Sequence, residues 1–224
     1  MASKPLHEQL GLEPSTRPRV WKDARRIGFM HGFNVSDGGV SSLGPIAEEL
    51  NLVHGYPAEM IRYGYQSLLT VRYNVQFAMD QLLAARPPVV FAHSNAVPVV
   101  YKAMYQTDYR PRAVIAYQPA HNRNRVWPPA PPSVLVLHNP RDIAVRAGRW
   151  WRWLNPVSWF VEEHYWGSAG ARGYKNPGSA VSQVNTAPYY GHSYLATDSL
   201  AVIEVAELVD RFIHQAFARP PPPP

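Results

Sequence analysis

The chain contains no cysteine. That excludes disulfides, thiolate metal sites and a cysteine nucleophile, and it fits a reducing compartment. No apolar run approaches the roughly 18 residues needed to cross a bilayer, so no membrane-spanning helix is expected. Met1 to Asp23 mixes Lys, Glu, Arg and Pro with single apolar residues. It lacks the unbroken apolar centre of a secretory signal, which points to a cytoplasmic protein and leaves export by another route open. Charged residues make up 17% of the 224, and hydrophobic ones 46%. That is enough apolar material for one domain with a real core. The 22 basic residues outnumber the 16 acidic ones, for a net charge of +6. They are scattered, as in Arg25-Arg26, Arg110 and Arg112, Arg123 and Arg125, and Arg146, Arg149 and Arg152. No helix gathers them and no nucleic-acid motif accompanies them, so they read as solvated surface and no nucleic-acid partner is expected.

Three segments follow from the pattern: an N-terminal arm over 1–24, a folded domain over 25–217, and a proline-rich tail over 218–224 that ends in five prolines. Within the domain, short apolar runs alternate with helical periods. Strands are expected at Arg26–Met30, Glu59–Tyr63, Val89–Ala92, Ala113–Tyr117, Ser133–Leu137 and Ser158–Tyr165. Helices are expected over Gly44–Asn51, over a stretch with Leu68, Val71, Val75, Ala78, Met79 and Leu82 on one face, over Asn95–Gln106, and from Asp198 to Phe217. Pro87-Pro88 stops the second helix, Pro98 lies in the tolerant first turn of the third, and Asp198 is placed to cap the last. Alternation of strand and helix predicts an α/β fold: a doubly wound, mostly parallel sheet of about six strands with helices on both faces.

In such sheets the functional groups sit just past the C-terminal ends of the strands. His31-Gly32-Phe33-Asn34 follows the first strand, His93-Ser94-Asn95 the third, and Asn139-Pro140-Arg141-Asp142 the fifth. Gly191-His192-Ser193 precedes the last helix. A nucleophile, an acid and an imidazole base therefore occur at strand ends in the order Ser94, Asp142, His192.

Ala92-His93-Ser94-Asn95-Ala96 resembles the nucleophile elbow of the α/β-hydrolase superfamily, with alanine at both positions where G-x-S-x-G has glycine. Arg141-Asp142-Ile143-Ala144-Val145 resembles the acid loop of that superfamily, and Gly191-His192-Ser193 its histidine loop. The resemblance covers about residues 25–217 and suits the minimal, cap-less lipases and cutinase-like esterases. It implies Ser94 as nucleophile, His192 as general base and Asp142 as the group that orients the imidazole. It also implies an oxyanion hole from the backbone N–H of Asn95 and a donor at Phe33 or Asn34. His93 is expected to be structural.

Other assignments remain open at this level. Ser94 is also compatible with a simple tight turn, and Asp142 with a helix cap. His121, His138 and His164 compete with His192, while Asp108, Glu162 and Glu163 compete less well with Asp142. No metal-ligand spacing occurs and no cofactor is implied. Five of the seven tryptophans fall in 150–166, either as aromatic core or as an apolar lip for acyl chains or a transient membrane or envelope contact. The loop 167–190 is long enough to cross the site as a lid. The implied activity is carboxylic-ester hydrolysis on a small or lipid-like substrate, with no obligate protein partner. Thioesterase, amidase, lactonase or acyltransferase chemistry, or an inactive binding protein of the same fold, are the alternatives.

Overall fold

The structure, a computed structural model, describes residues 25–32, 35–64, 71–128, 132–147, 167–187, 189 and 191–218. The arm 1–24, Phe33 and Asn34, Leu68, the Trp-rich segment 150–166 and the final prolines lie outside the described residues, as does the expected strand Ser158–Tyr165.

Six strands form one sheet in the order β2-β1-β3-β4-β5-β6. They are β1 Ile27–Met30, β2 Ala58–Met60, β3 Val89–His93, β4 Ala113–Tyr117, β5 Ser133–His138 and β6 Val181–Asn185. Every pairing is parallel. The helices are α1 Val40–Leu52, α2 Val71–Ala85, α3 Ala96–Gln106, the single turn α4 Ala169–Arg172, and α5 Ser199–Ala218.

The period of two along each strand sorts its side chains onto the two faces. Met30, Val90, Ala92, Val114, Ala116, Val134 and Val136 pack on one side with α2 and α3, through Val75, Ala78, Met79, Leu82, Val100 and Met104. Ile27, Phe29, Val89, Phe91, Ala113, Ile115, Leu135 and Leu137 pack on the other with α1 and α5, through Leu43, Ile46, Leu50, Val205, Val209 and Ile213. The four inner strands are therefore apolar on both faces, as a sheet covered twice requires. The expected doubly wound α/β fold is the observed one.

Three expectations differ from what is seen, the simplest being β2, which ends at Met60 instead of Tyr63. The sixth strand of the sheet is Val181–Asn185, and with α4 it lies inside the segment expected to be a loop or lid. Its sequence, Val-Ser-Gln-Val-Asn, is half polar because it is an edge strand, half-buried to exposed throughout. A rule that looks for wholly apolar strands passes it by. The first helix begins at Val40, a turn earlier than Gly44. Asp37 explains this: its Oδ2 accepts the Ser41 N–H at 2.7 Å and its Oδ1 the Gly39 N–H at 3.0 Å, satisfying donors that open the helix. Asp198 caps α5 as expected, accepting the Ala201 N–H at 3.0 Å. Among the described residues no helix is long and apolar enough to cross a membrane.

Candidate active site

Ser94 is the hinge between β3 and α3, with φ of 55° in the left-handed region. A residue with a Cβ pays about 1–3 kcal/mol to stay there. Its neighbours hold it in place. The Ser94 N–H donates to the Tyr117 carbonyl at 3.0 Å, and its own carbonyl accepts from Val97 at 3.2 Å and Ala120 at 3.1 Å. Ala92 and Ala96, standing where glycines are usual, are completely buried. Asn95 follows as the N-cap of α3. Among the described residues its backbone N–H donates to no other main-chain group, and it lies where the helix dipole favours negative charge.

The end of β1 passes directly beside Ser94. A Cβ added at Gly32 would lie 2.8 Å from the Ser94 Cβ and 3.2 Å from His93 Nδ1. Only hydrogen fits there. Gly32→Ala is therefore expected to displace the serine and lower its rate of labelling by an active-site phosphonylating probe by on the order of a hundredfold. A wild-type labelling rate would show that the contact is not needed.

Asp142 follows β5 and is fully buried. Its Oδ1 accepts the Val145 N–H at 2.9 Å, and its Oδ2 accepts from His192 Nδ1 at 2.8 Å. The two readings of this residue, a cap for the helical segment 143–147 and a partner for the histidine, thus hold together. Because Nδ1–H donates to the carboxylate, the lone pair of His192 stands on Nε2. The His192 side chain keeps 21% of its surface exposed, against 0% for Asp142. No hydrogen bond joins Ser94 Oγ to His192 among the described residues. Such bonds are often long in unliganded sites and tighten when substrate binds.

Three strand ends grip the loop that carries His192. From β5, Asn139 Nδ2 donates to the carbonyls of Thr186 at 3.1 Å and Tyr189 at 2.8 Å. From β4, Gln118 Nε2 donates to the Gly191 carbonyl at 3.1 Å. From β3, His93 Nε2–H donates to the His192 carbonyl at 3.1 Å. The sequence offered no motif for Asn139 or Gln118, and His93 has a structural contact of a specific kind. Its ring also lies 4.7 Å from that of His192 and stacks on Tyr117 at 4.8 Å.

The competing residues are placed elsewhere. His121 sits among Tyr101, Trp127 and Tyr174, with its Nδ1 2.7 Å from the Tyr174 hydroxyl. His138 is half-buried at the end of β5 and Asp108 is an exposed partner of Arg86 at 3.1 Å. His164, Glu162 and Glu163 lie outside the described residues. Among those described, no group of three or more His, Cys, Asp or Glu is placed to hold a metal.

Two histidines at the ends of β1 and β3 favour their neutral forms. Burial pushes His31 below its ordinary value, against the opposing hydrogen bond to the Gly32 carbonyl and the charge of Asp37. Burial pushes His93 well below it, helped by the repulsion its protonated form would meet from a protonated His192. In the unfolded chain both protonate near pH 6.5, while in the folded protein they stay neutral to lower pH. The unfolded state then binds more protons, so stability is complete above about pH 6.5 and falls below it, by at most about 1.4 kcal/mol per pH unit for each ring. Denaturant midpoints measured from pH 7.5 to pH 5 are expected to drop over this range. A constant midpoint would contradict it.

No protein-family model matches the sequence, and no curated protein sequence matches it significantly. Solved structures do resemble it, and the fold they share with it is that of the α/β-hydrolases. The chain is similar to the esterase domain of a Rhodothermus marinus protein, with a TM-score of 0.56 and 14% identity over 88% of this chain and 90% of that one. It is similar to an alpha/beta hydrolase enzyme from a Medee basin deep-sea metagenome library, with a TM-score of 0.54 and 18% identity over 90% and 89% of the two chains. It is also similar to the Paleococcus ferrophilus monoacylglycerol lipase, with a TM-score of 0.53 and 13% identity over 87% and 95%. At these identities the likeness is one of fold.

Proposed function

We propose that the protein is a serine hydrolase that cleaves a carboxylic ester through an acyl-enzyme on Ser94. The observation that carries this is the 2.8 Å bond from His192 Nδ1 to the buried carboxylate of Asp142, on a loop that is also held by the residue next to Ser94. A serine hydroxyl is a weak nucleophile until a base takes its proton, and His192 Nε2 has the lone pair to do so. Ser94 Oγ attacks the ester carbonyl carbon as its proton passes to Nε2. Asp142 stabilises the imidazolium without becoming protonated. The oxyanion is received by the Asn95 N–H and by a donor from Phe33 or Asn34, where each lost donor costs about 3–4 kcal/mol. Collapse of the tetrahedral species expels the alcohol, which takes the proton from His192. Water, deprotonated by the same ring, then releases the acid.

The esterase and lipase activities named for the structural neighbours are compatible with a small ester substrate. Labelling with a fluorophosphonate tests the reading, since it requires an activated serine and no knowledge of the substrate. Wild type is expected to be phosphonylated at Ser94. Absence of labelling would leave an inactive α/β-hydrolase-fold protein. A panel of p-nitrophenyl esters, thioesters and amides then separates ester hydrolysis from the other chemistries such a triad performs.

A further inference from the structure

We propose that Gln118 is a positioning residue for His192, its side-chain amide holding the Gly191 carbonyl so that the imidazole is presented to Ser94. This rests on the hydrolase reading for its catalytic consequence, though the restraint on the ring is a property of the fold. Gln118 is the residue that follows β4, and it is fully buried. Its backbone has φ of 44°, a conformation that glycine or asparagine adopts far more readily. Among the described residues its buried Oε1 has no hydrogen-bond partner. Both features work against stability, since left-handed backbone and an unpaired buried acceptor are each unfavourable. What the arrangement achieves is the 3.1 Å bond from Nε2 to the Gly191 carbonyl. Gly191 has φ of 90°, where glycine is at ease, and it directly precedes His192.

The next carbonyl, that of His192 itself, accepts from His93 Nε2–H at 3.1 Å. Consecutive carbonyls on either side of the His192 Cα are thus fixed by side chains from β4 and β3. The far side of the ring is held by Asp142. With both ends of the residue pinned, the ring keeps the short range of motion that proton transfer between Ser94 and a leaving group requires. If Gln118 merely formed a turn, asparagine would serve there as well or better. If it positions the histidine, asparagine is one methylene too short to reach Gly191.

Gln118→Asn separates these cases, and Gln118→Met supplies a side chain of full length without the donor. In both variants kcat for a p-nitrophenyl ester is expected to fall about tenfold to a hundredfold, with KM within about twofold. The hydrogen-bonded Nδ1–H proton of His192, observed by NMR in the whole protein, is expected to broaden through faster exchange. The Asn variant is expected to melt within a few degrees of wild type, so it reports even if the Met variant does not fold. An unchanged His192 resonance, or a kcat within about twofold of wild type, in Gln118→Asn overturns the proposal. Failure of wild type to react with fluorophosphonate would overturn the hydrolase reading instead, and the resonance would still decide whether Gln118 restrains His192.

Discussion

Ser94→Ala is expected to lower kcat for ester hydrolysis by roughly 10⁴- to 10⁶-fold and to abolish fluorophosphonate labelling. The upper figure corresponds to about 8 kcal/mol of barrier. So large a loss is expected because, in the proposed mechanism, Ser94, His192 and Asp142 act as a unit, and without the hydroxyl the other two have nothing to activate. Some rate above the uncatalysed one should remain, since the Asn95 N–H and the binding site are untouched. The fold should be little disturbed. Ser94 is held by its main chain, through Tyr117, Val97 and Ala120, and alanine keeps the Cβ that touches the strand end at Gly32. Alanine also tolerates φ of 55° no worse than serine does. Steady-state kinetics beside a thermal melt would test both parts. A variant within tenfold of wild type would remove Ser94 from the mechanism.

Asp142→Asn is expected to cost about 10⁴-fold in kcat while leaving the protein folded. The reason lies in the second bond of the carboxylate. Oδ1 is committed to the Val145 N–H, so an asparagine must turn its own oxygen to Val145 and its NH₂ group to His192. Facing a donor, His192 Nδ1 must accept, and its proton moves to Nε2. The ring is then in the tautomer that cannot take the proton of Ser94. A merely structural Asp142 would leave kcat unchanged by this change, and the midpoint is expected to hold because the helical segment 143–147 keeps its cap. The pair of measurements, kcat at neutral pH and the thermal midpoint, distinguishes the two roles. Loss of kcat without loss of the midpoint is the expected result.

Local pattern makes much of the candidate site legible in the sequence. Val89–Ala92 is apolar at every position, and it ends on a serine followed by a helical period, so strand, turn and helix are all written within some fifteen residues. His192 and Asp142 are 50 residues apart, and their side chains meet. Order along the chain, placement at strand ends and the resemblance to the α/β-hydrolases together point to this pair over the competing histidines. Local pattern misses the start of α1 and the whole of β6. Asp37 starts its helix from an exposed turn with two glycines, and β6 is a half-polar edge strand with no apolar run, in a stretch that otherwise reads as loop.

The sequence by itself determined the parallel sheet, since inner strands covered on both faces must be apolar throughout, and it determined the order in which Ser94, Asp142 and His192 arrive at the strand ends. Tertiary structure alone decided how the histidine is held. Gln118 reaches Gly191 across 73 positions and His93 reaches His192 across 99. Bonds of that kind depend on which strand ends the sheet order β1-β3-β4-β5 places side by side, and no local period encodes them. The left-handed backbone at Ser94 and Gln118 belongs with these contacts. Neither residue prefers that conformation, and each is kept in it by the packing of the completed fold.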